Sequence, residues 1–230
     1  MKILVIGDSC IDRFVYGTCD RICPEAPVPV FQPEPRVVES GGMALNVQSN
    51  VRALDMECDI ATNTFWPEVS QIKTRYVDSK TNQMLLRVDE NDFNCTQSYE
   101  HEDNLDDYEA VIVADYDKGF LSEMDVAMIC RNHPRVFVDS KKPNLDHASK
   151  ARFIKINEYE YEKAKYSLNI DDERLIVTHG GLGCKWNGKI YPPPKEREVR
   201  DVSGAGDTFM AAFAVTLIMS FGDGVGQVLG

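Results

Sequence analysis

Short apolar runs separated by polar, periodic stretches organise this chain. Lys2–Ile6, Cys58–Ala61, Ala110–Ala114, Arg135–Asp139, Arg152–Ile156 and Arg174–Thr178 each read as a strand of a few residues. Ala110-Val-Ile-Val-Ala114 is apolar throughout, as a parallel strand covered on both faces would be. Between these runs the apolar spacing turns helical. Gly41–Leu54 puts Ala44, Leu45, Val47, Val51 and Leu54 on one side. Ser122–Asn132 has Ser122 as N-cap and Asp125 at N3, and helices are also predicted over Glu158–Lys165 and Gly206–Phe221. Alternation of strand and helix predicts an α/β protein with a mostly parallel sheet between two helical layers.

Two stretches depart from that rhythm. Phe14–Val37 holds Pro24, Pro27, Pro29, Pro33 and Pro35, and its Val28–Phe31 reads as an edge strand. Thr74–Val88 reads as a hairpin around Ser79-Lys-Thr-Asn82. Together they predict a small β flap. Glu100–Glu109 is an acidic run, read as a solvated helix or loop face.

In a parallel sheet, ligands bind beyond the carboxyl ends of the strands. Asp8 and Asp12, Asp115 to Lys118, Asp139 to Lys142, Asn157 to Glu160, and Thr178 to Gly183 all follow apolar strands and are expected along that edge. Each alone is an ordinary turn or cap; all of them together make a candidate site. The strongest single signal is Asp201-Val-Ser-Gly-Ala-Gly-Asp-Thr208, running into an apolar helix. Its glycine turn leaves the N–H groups of Gly204, Ala205 and Gly206 free at a helix N-terminus, where an anion is favoured. Asp207 would then stand beside the anion, placed to take a proton from an attacking hydroxyl.

Composition narrows the class. The chain has 230 residues, 43% hydrophobic and 27% charged, enough for one sizeable domain. It contains no apolar run of the length a membrane span needs, and its start is too strand-like for a signal peptide, so a cytoplasmic location is expected. A net charge of -12 argues against nucleic-acid binding. The seven cysteines are scattered with no pair at CxxC spacing, which disfavours zinc and disulfides. The strand-to-helix turn after Gly7 lacks GxGxxG, and no P-loop is present, so a dinucleotide fold is a poor fit.

Taken together, Gly7-Asp-x-x-x-Asp12, Gly41-Gly-x-x-x-Asn46, Asn157-x-x-Glu160 and Asp201-x-x-Gly-Ala-Gly-Asp207 resemble the ribokinase-like (PfkB) carbohydrate kinases. Asp12-Arg-Phe-Val-Tyr-Gly17, Arg21-Ile-Cys-Pro-Glu-Ala-Pro-Val-Pro-Val30 and Ala114-Asp-Tyr-Asp-Lys-Gly119 are similar, within that family, to kinases of heptose 7-phosphate. The resemblance runs from Lys2 to about Phe221. It implies one ribokinase-like domain over 1–230, a three-layer sandwich with a β lid from about 13–37 and 72–90. It also implies a homodimer through that lid.

The activity implied is transfer of the γ-phosphoryl of ATP to the C1 hydroxyl of D-glycero-D-manno-heptose 7-phosphate, a precursor of lipopolysaccharide heptose. Asp207 would be the base, with Gly204, Ala205 and Gly206 as the anion hole. Asp12, Gly42 and Asn46 would hold sugar hydroxyls. Asn157 and Glu160 would organise Mg2+ through water, and Thr178, Gly180 and Gly183 would lie along the nucleotide. Lys73, Arg75, Lys80 and Arg87 cluster in the flap sequence, and Arg75 and Arg87 are the choices for the sugar phosphate because guanidinium groups grip phosphate bidentately. Lys118 is a second candidate, while Asp139 is expected to fix a loop rather than react.

The chain also departs from the family. Only Thr62 to Ile72 joins two predicted strands where a helix and a strand are usual, so one βα unit is expected to be missing and the sheet narrower. Asp223–Gly230 reads as only the start of a segment that lines the adenine pocket elsewhere in the family. Two alternatives follow: the same chemistry on another sugar or sugar phosphate, and a shortened module that binds sugar or nucleotide without turnover.

Overall fold

The computed structural model describes residues 1–63, 70–92, 97–166, 173–193 and 203–222, with Phe221 and Gly222 described by backbone only. Cys95, Asp201 and the 223–230 segment therefore lie outside the described residues. The chain divides into two compact units, one of 1–9, 43–63 and 94–230, the other of 10–42 and 64–93.

The larger unit is built on a sheet of eight strands among the described residues. In chain order they are β1 (Lys2–Gly7), β4 (Glu57–Thr62), β7 (Ala110–Asp115), β8 (Val136–Ser140), β9 (Phe153–Asn157), β10 (Leu175–Thr178), β11 (Cys184–Trp186) and β12 (Lys189–Tyr191). Their spatial order is β12-β11-β10-β9-β8-β7-β1-β4. Pairing is parallel from β4 through β10, and antiparallel where β11 and β12 close the edge. Order reverses at β1, which has β4 on one side and β7 on the other. In open α/β sheets such a reversal is where ligands bind, beyond the carboxyl ends of the strands.

Alternation along each strand splits the core in two. On one face, Leu4, Ile6, Val111, Val113, Val136, Val138, Ile154 and Ile156 meet α2 (Glu123–Asn132) and α3 (Glu158–Ala164). On the other, Ile3, Val5, Ile112, Phe137 and Phe153 meet α1 (Ala44–Ala53) and α4 (Ala205–Gly222). The central strands β1 and β7 are buried on both faces, which is why they read as unbroken apolar runs. Glycine at position 7 is obligatory, because a Cβ there would fall 2.0 Å from the Ala114 carbonyl oxygen.

Helix boundaries follow local chemistry. Ser122 caps α2 in a capping box with Asp125, as its sequence predicts. α1 begins later than expected: Gly41 and Gly42 still belong to strand β3 (Pro29–Met43), and Met43 turns into the helix at φ 58°. Leu54, expected on the packed side, is exposed beyond the helix end. The acidic 100–109 stretch yields one short 3-10 turn, Leu105–Asp107.

The smaller unit is a four-stranded sheet in the order β3-β2-β5-β6, where β2 is Ser9–Ile22, β5 is Ile72–Asp78 and β6 is Met84–Glu90. The expected hairpin is β5–β6, paired antiparallel. The expected edge strand is β3, far longer than Val28–Phe31. It keeps its prolines at the sheet edge, where a missing N–H costs no ladder bond.

Candidate active site

Gly204, held at φ 73°, immediately precedes helix α4. A Cβ there would meet the Asn46 amide nitrogen at 2.5 Å, so only glycine lets Asn46 of α1 come this close. Asn46 Nδ2 donates to Asp207 Oδ2 at 2.9 Å. The Tyr116 hydroxyl, just beyond β7, donates to Asp207 Oδ1. Both oxygens of one carboxylate on the first turn of α4 are thus oriented by donors from two other elements. Asp207 is 4% exposed, whereas Ala205 beside it is open to solvent. Burial raises the Asp207 pKa, the two donors and Lys155 pull it back, and the net direction is upward. A carboxylate oriented in this way suits the work of a general base.

Behind it lies a buried chain of charges. Lys155 of β9 is 3% exposed and ion-paired with Asp139 of β8. Its ammonium occupies the space beside Gly206, 2.9 Å from where a Cβ would stand. Lys141 sits 2.5 Å from Glu160 Oε1 and 3.6 Å from Asp139, with its ammonium 5.2 Å from the Tyr116 ring centre. Burial would raise the Asp139 carboxyl, but the charges of Lys155 and Lys141 outweigh it and hold the group below its ordinary value. Paired charges at this depth are costly to separate and therefore fix geometry.

Asn157 and Glu160 form a capping box at the start of α3. Glu160 Oε2 accepts the Asn157 backbone N–H at 2.7 Å, and Oε1 accepts Asn157 Nδ2 at 2.8 Å. Asn157 Oδ1 accepts the Glu160 N–H at 2.9 Å. With Lys141 also on Glu160, every side-chain polar atom of the pair has a partner, which does not suit direct ligation of a metal ion. Among the described residues no group of three His, Cys, Asp or Glu side chains is arranged to hold one.

The neighbouring loops have their own scaffolds. Asp8, 1% exposed, accepts the N–H groups of Tyr116 (2.8 Å), Lys118 (3.3 Å) and Phe120 (3.2 Å). Asp115 is fully buried against the Ser140 hydroxyl and the Lys142 ammonium at 2.6 Å. These two carboxylates shape the 116–120 loop, and Lys118 is half-buried within it. Thr178 is the register partner of Asn157, with Gly180 and Gly183 in the turn beyond, both at positive φ.

Within the smaller unit, Asp12 and Gly42 are brought together, since a Cβ on Gly42 would fall 2.3 Å from Asp12 Oδ2. Arg75 is 7% exposed and pairs with Asp12 at 2.6 Å. Arg75 and Arg87 are direct cross-strand partners, and Arg87 is held bidentately by Asp89 at 2.6 Å on both contacts. Lys80, expected with them, instead lies in the β5–β6 turn with Asp20 at 3.2 Å.

Sequence reasoning placed Tyr116 and Lys141 only within the 115–118 and 139–142 stretches expected along the edge, gave neither a role, and missed Lys155. Lys155 carried a signal: a lysine inside an apolar strand must be paired if buried. Tyr116 lay inside a string already singled out, but nothing in the chain order shows that it meets Asp207, 91 residues away.

An open α/β sheet with an oriented carboxylate at a helix N-terminus is an arrangement that suits phosphoryl transfer. Comparison supplies the family: the profile of the pfkB family carbohydrate kinases matches residues 70–224. The chain belongs to that family and is a carbohydrate kinase. It is similar to the bifunctional protein HldE of a Nitratiruptor species, 33% identical over 92% of this chain and 55% of the relative. The same-named protein of Helicobacter hepaticus is 30% identical over 94% of the chain and 56% of its own length. The chain therefore spans about half the length of the curated relatives it matches. The first alignment covers 259 residues, more than the 230 of this chain, so that relative carries residues inside the aligned span that the chain lacks. Among solved structures, the ribokinase of Cryptococcus neoformans in complex with ADP superposes with TM-score 0.64 at 14% identity, over 95% of this chain and 88% of that one. The fold is ribokinase-like.

Proposed function

We propose that the chain transfers the γ-phosphoryl of ATP to the C1 hydroxyl of D-glycero-D-manno-heptose 7-phosphate. The observation that carries the reading is Asp207, oriented through both oxygens on the first turn of α4. In this reading the sugar O–H proton passes to Asp207, the oxygen bonds to the γ-phosphorus, and ADP leaves with the electrons of the bridging bond. Gly204, Ala205 and Gly206 hold the transferring phosphoryl group through the free N–H groups of the helix start. Thr178, Gly180 and Gly183 lie along the nucleotide. Magnesium, assigned to Asn157 and Glu160 through water only, would neutralise phosphate charge.

Heptose 7-phosphate as acceptor is supported by the Arg21–Val30 string, and Arg75 and Arg87, cross-strand partners that could exchange their carboxylates for a phosphate, are its proposed anion contacts. Asp12, Gly42, Asn46 and Lys118 complete the proposed sugar contacts. The lid role of 13–37 and 72–90, within one domain over 1–230, belongs to the same reading. A second reading has a specific observation in its favour. Arg75 and Arg87 are already neutralised by Asp12 and Asp89, which suits a sugar without phosphate.

ADP release from Mg-ATP tests both, with heptose 7-phosphate, ribose and fructose 6-phosphate as acceptors and Asp207→Asn as control. Release with heptose 7-phosphate alone, lost in the variant, supports the first reading; release with ribose at least as fast supports the second. A folded protein inert toward all three refutes both.

A further inference from the structure

Nothing local to the 114–119 string aims the Tyr116 hydroxyl at Asp207, yet the tertiary structure fixes it there from several sides. The Tyr116 backbone N–H is tied to Asp8 Oδ2 at 2.8 Å. Its ring packs against the α1/α4 face of the core and carries the Lys141 ammonium 5.2 Å from its centre. Backbone and ring are thus both held, and the hydroxyl meets Asp207 Oδ1.

A carboxylate offers about four lone-pair positions. Tyr116 takes one on Oδ1 and Asn46 takes one on Oδ2. Those two bonds fix the carboxylate plane and leave one position on each oxygen for an incoming hydroxyl. Resting on the reading of Asp207 as the base, we propose that Tyr116 is a positioning residue for it. The phenol orients the carboxylate and favours its ionised, proton-accepting form, without itself gaining or losing a proton.

The physical reason is the burial of Asp207, which on its own favours the protonated carboxyl over the proton-accepting carboxylate. Facing that carboxyl are the Tyr116 hydroxyl after β7, the Asn46 amide of α1, the Asp139 carboxylate of β8, the Lys155 ammonium of β9 and, further off, Lys141. Asp139 opposes ionisation; Lys155, Asn46 and Tyr116 favour it. Lys155 is already committed to Asp139. The phenol therefore carries a large share of what keeps the base ionised, and Phe at this position removes that share while keeping the ring.

The test is titration of the Asp207 carboxyl by carbon-13 NMR in aspartate-labelled protein, with Asp207→Asn assigning the signal, in wild type and in Tyr116→Phe. The expected result is titration at higher pH in Tyr116→Phe. With Mg-ATP and heptose 7-phosphate, the acid limb of kcat/KM moves the same way, and kcat near neutrality falls roughly tenfold at unchanged KM for ATP. Titration at the same pH in both proteins overturns the proposal. So does a Tyr116→Phe protein that differs only by a lower Tm and a raised KM, because that is a packing role. Turnover that survives Asp207→Asn refutes the base reading instead, whatever the NMR signal does.

Discussion

The Asp207 carboxylate is held by residues far from it in sequence. Gly206 illustrates the dependence, since the Lys155 ammonium lies 2.9 Å from where its Cβ would stand. Gly206→Ala requires that ammonium to shift slightly against Asp139, and is expected to cost about 1 kcal/mol in chemical denaturation and to lower turnover with it. The same pair makes a pH prediction. Asp139 lies below its ordinary value in the folded protein. The unfolded chain therefore binds the proton first, and the stability from this group is present above an unfolded pKa of about 3.9 and lost as pH falls through the lower folded value. Asp8 and Asp207 are raised by burial and run the other way, so their contribution declines as pH rises through their folded values. Thermal melting from pH 3 upward is expected to show a steep acid loss that is shallower in the double variant Asp139→Asn/Lys155→Gln. Equal acid slopes would show that another carboxylate dominates.

Helices and strands differ in how well they announce themselves. α2 is legible because Ser122 and Asp125 form their capping box within four consecutive residues. Ser122→Ala is expected to cost about 1 kcal/mol in denaturant unfolding, with no change in KM. The β11–β12 hairpin escaped sequence reading although Asn187-Gly188 is a strong turn signal, with both residues at positive φ. Gly188→Ala is expected to cost about 1 kcal/mol there because of its φ of 73°, while the same change at Gly181, where a Cβ also meets nothing but φ is not positive, costs less. The Asn157-x-x-Glu160 motif shows the limit of motif reading. The same four residues that resemble a metal-organising motif are, in local physics, a helix cap. Spacing reveals the cap; only the approach of Lys141 from the loop after β8 shows that the cap is also wired to Asp139.

For the chain as a whole, the four-stranded unit exposes Val37, Val38, Met84, Leu85, Leu86 and Val88. Apolar side chains in that number suit an interface. If the proposed homodimer forms there, sedimentation equilibrium should give a dimer for the wild type and a monomer for Val38→Glu/Leu86→Glu; a wild-type monomer would end that proposal. No helix among the described residues is long and apolar enough to cross a membrane. The order of β1, β4, β7 to β10 and the four helices, the parallel sheet, the β5–β6 hairpin and the edge character of β3 were readable from the chain, because burial on two faces, burial on one face and proline's missing N–H each leave a periodic mark on composition. The anion-favouring helix start at Gly204–Asp207 was readable for the same local reason. The partners of Asp207 were not. Tyr116, Asn46 and the Lys155–Asp139 pair reach it from four different elements, and the meeting of side chains so far apart in the chain is set by strand order and helix packing, which no local pattern encodes.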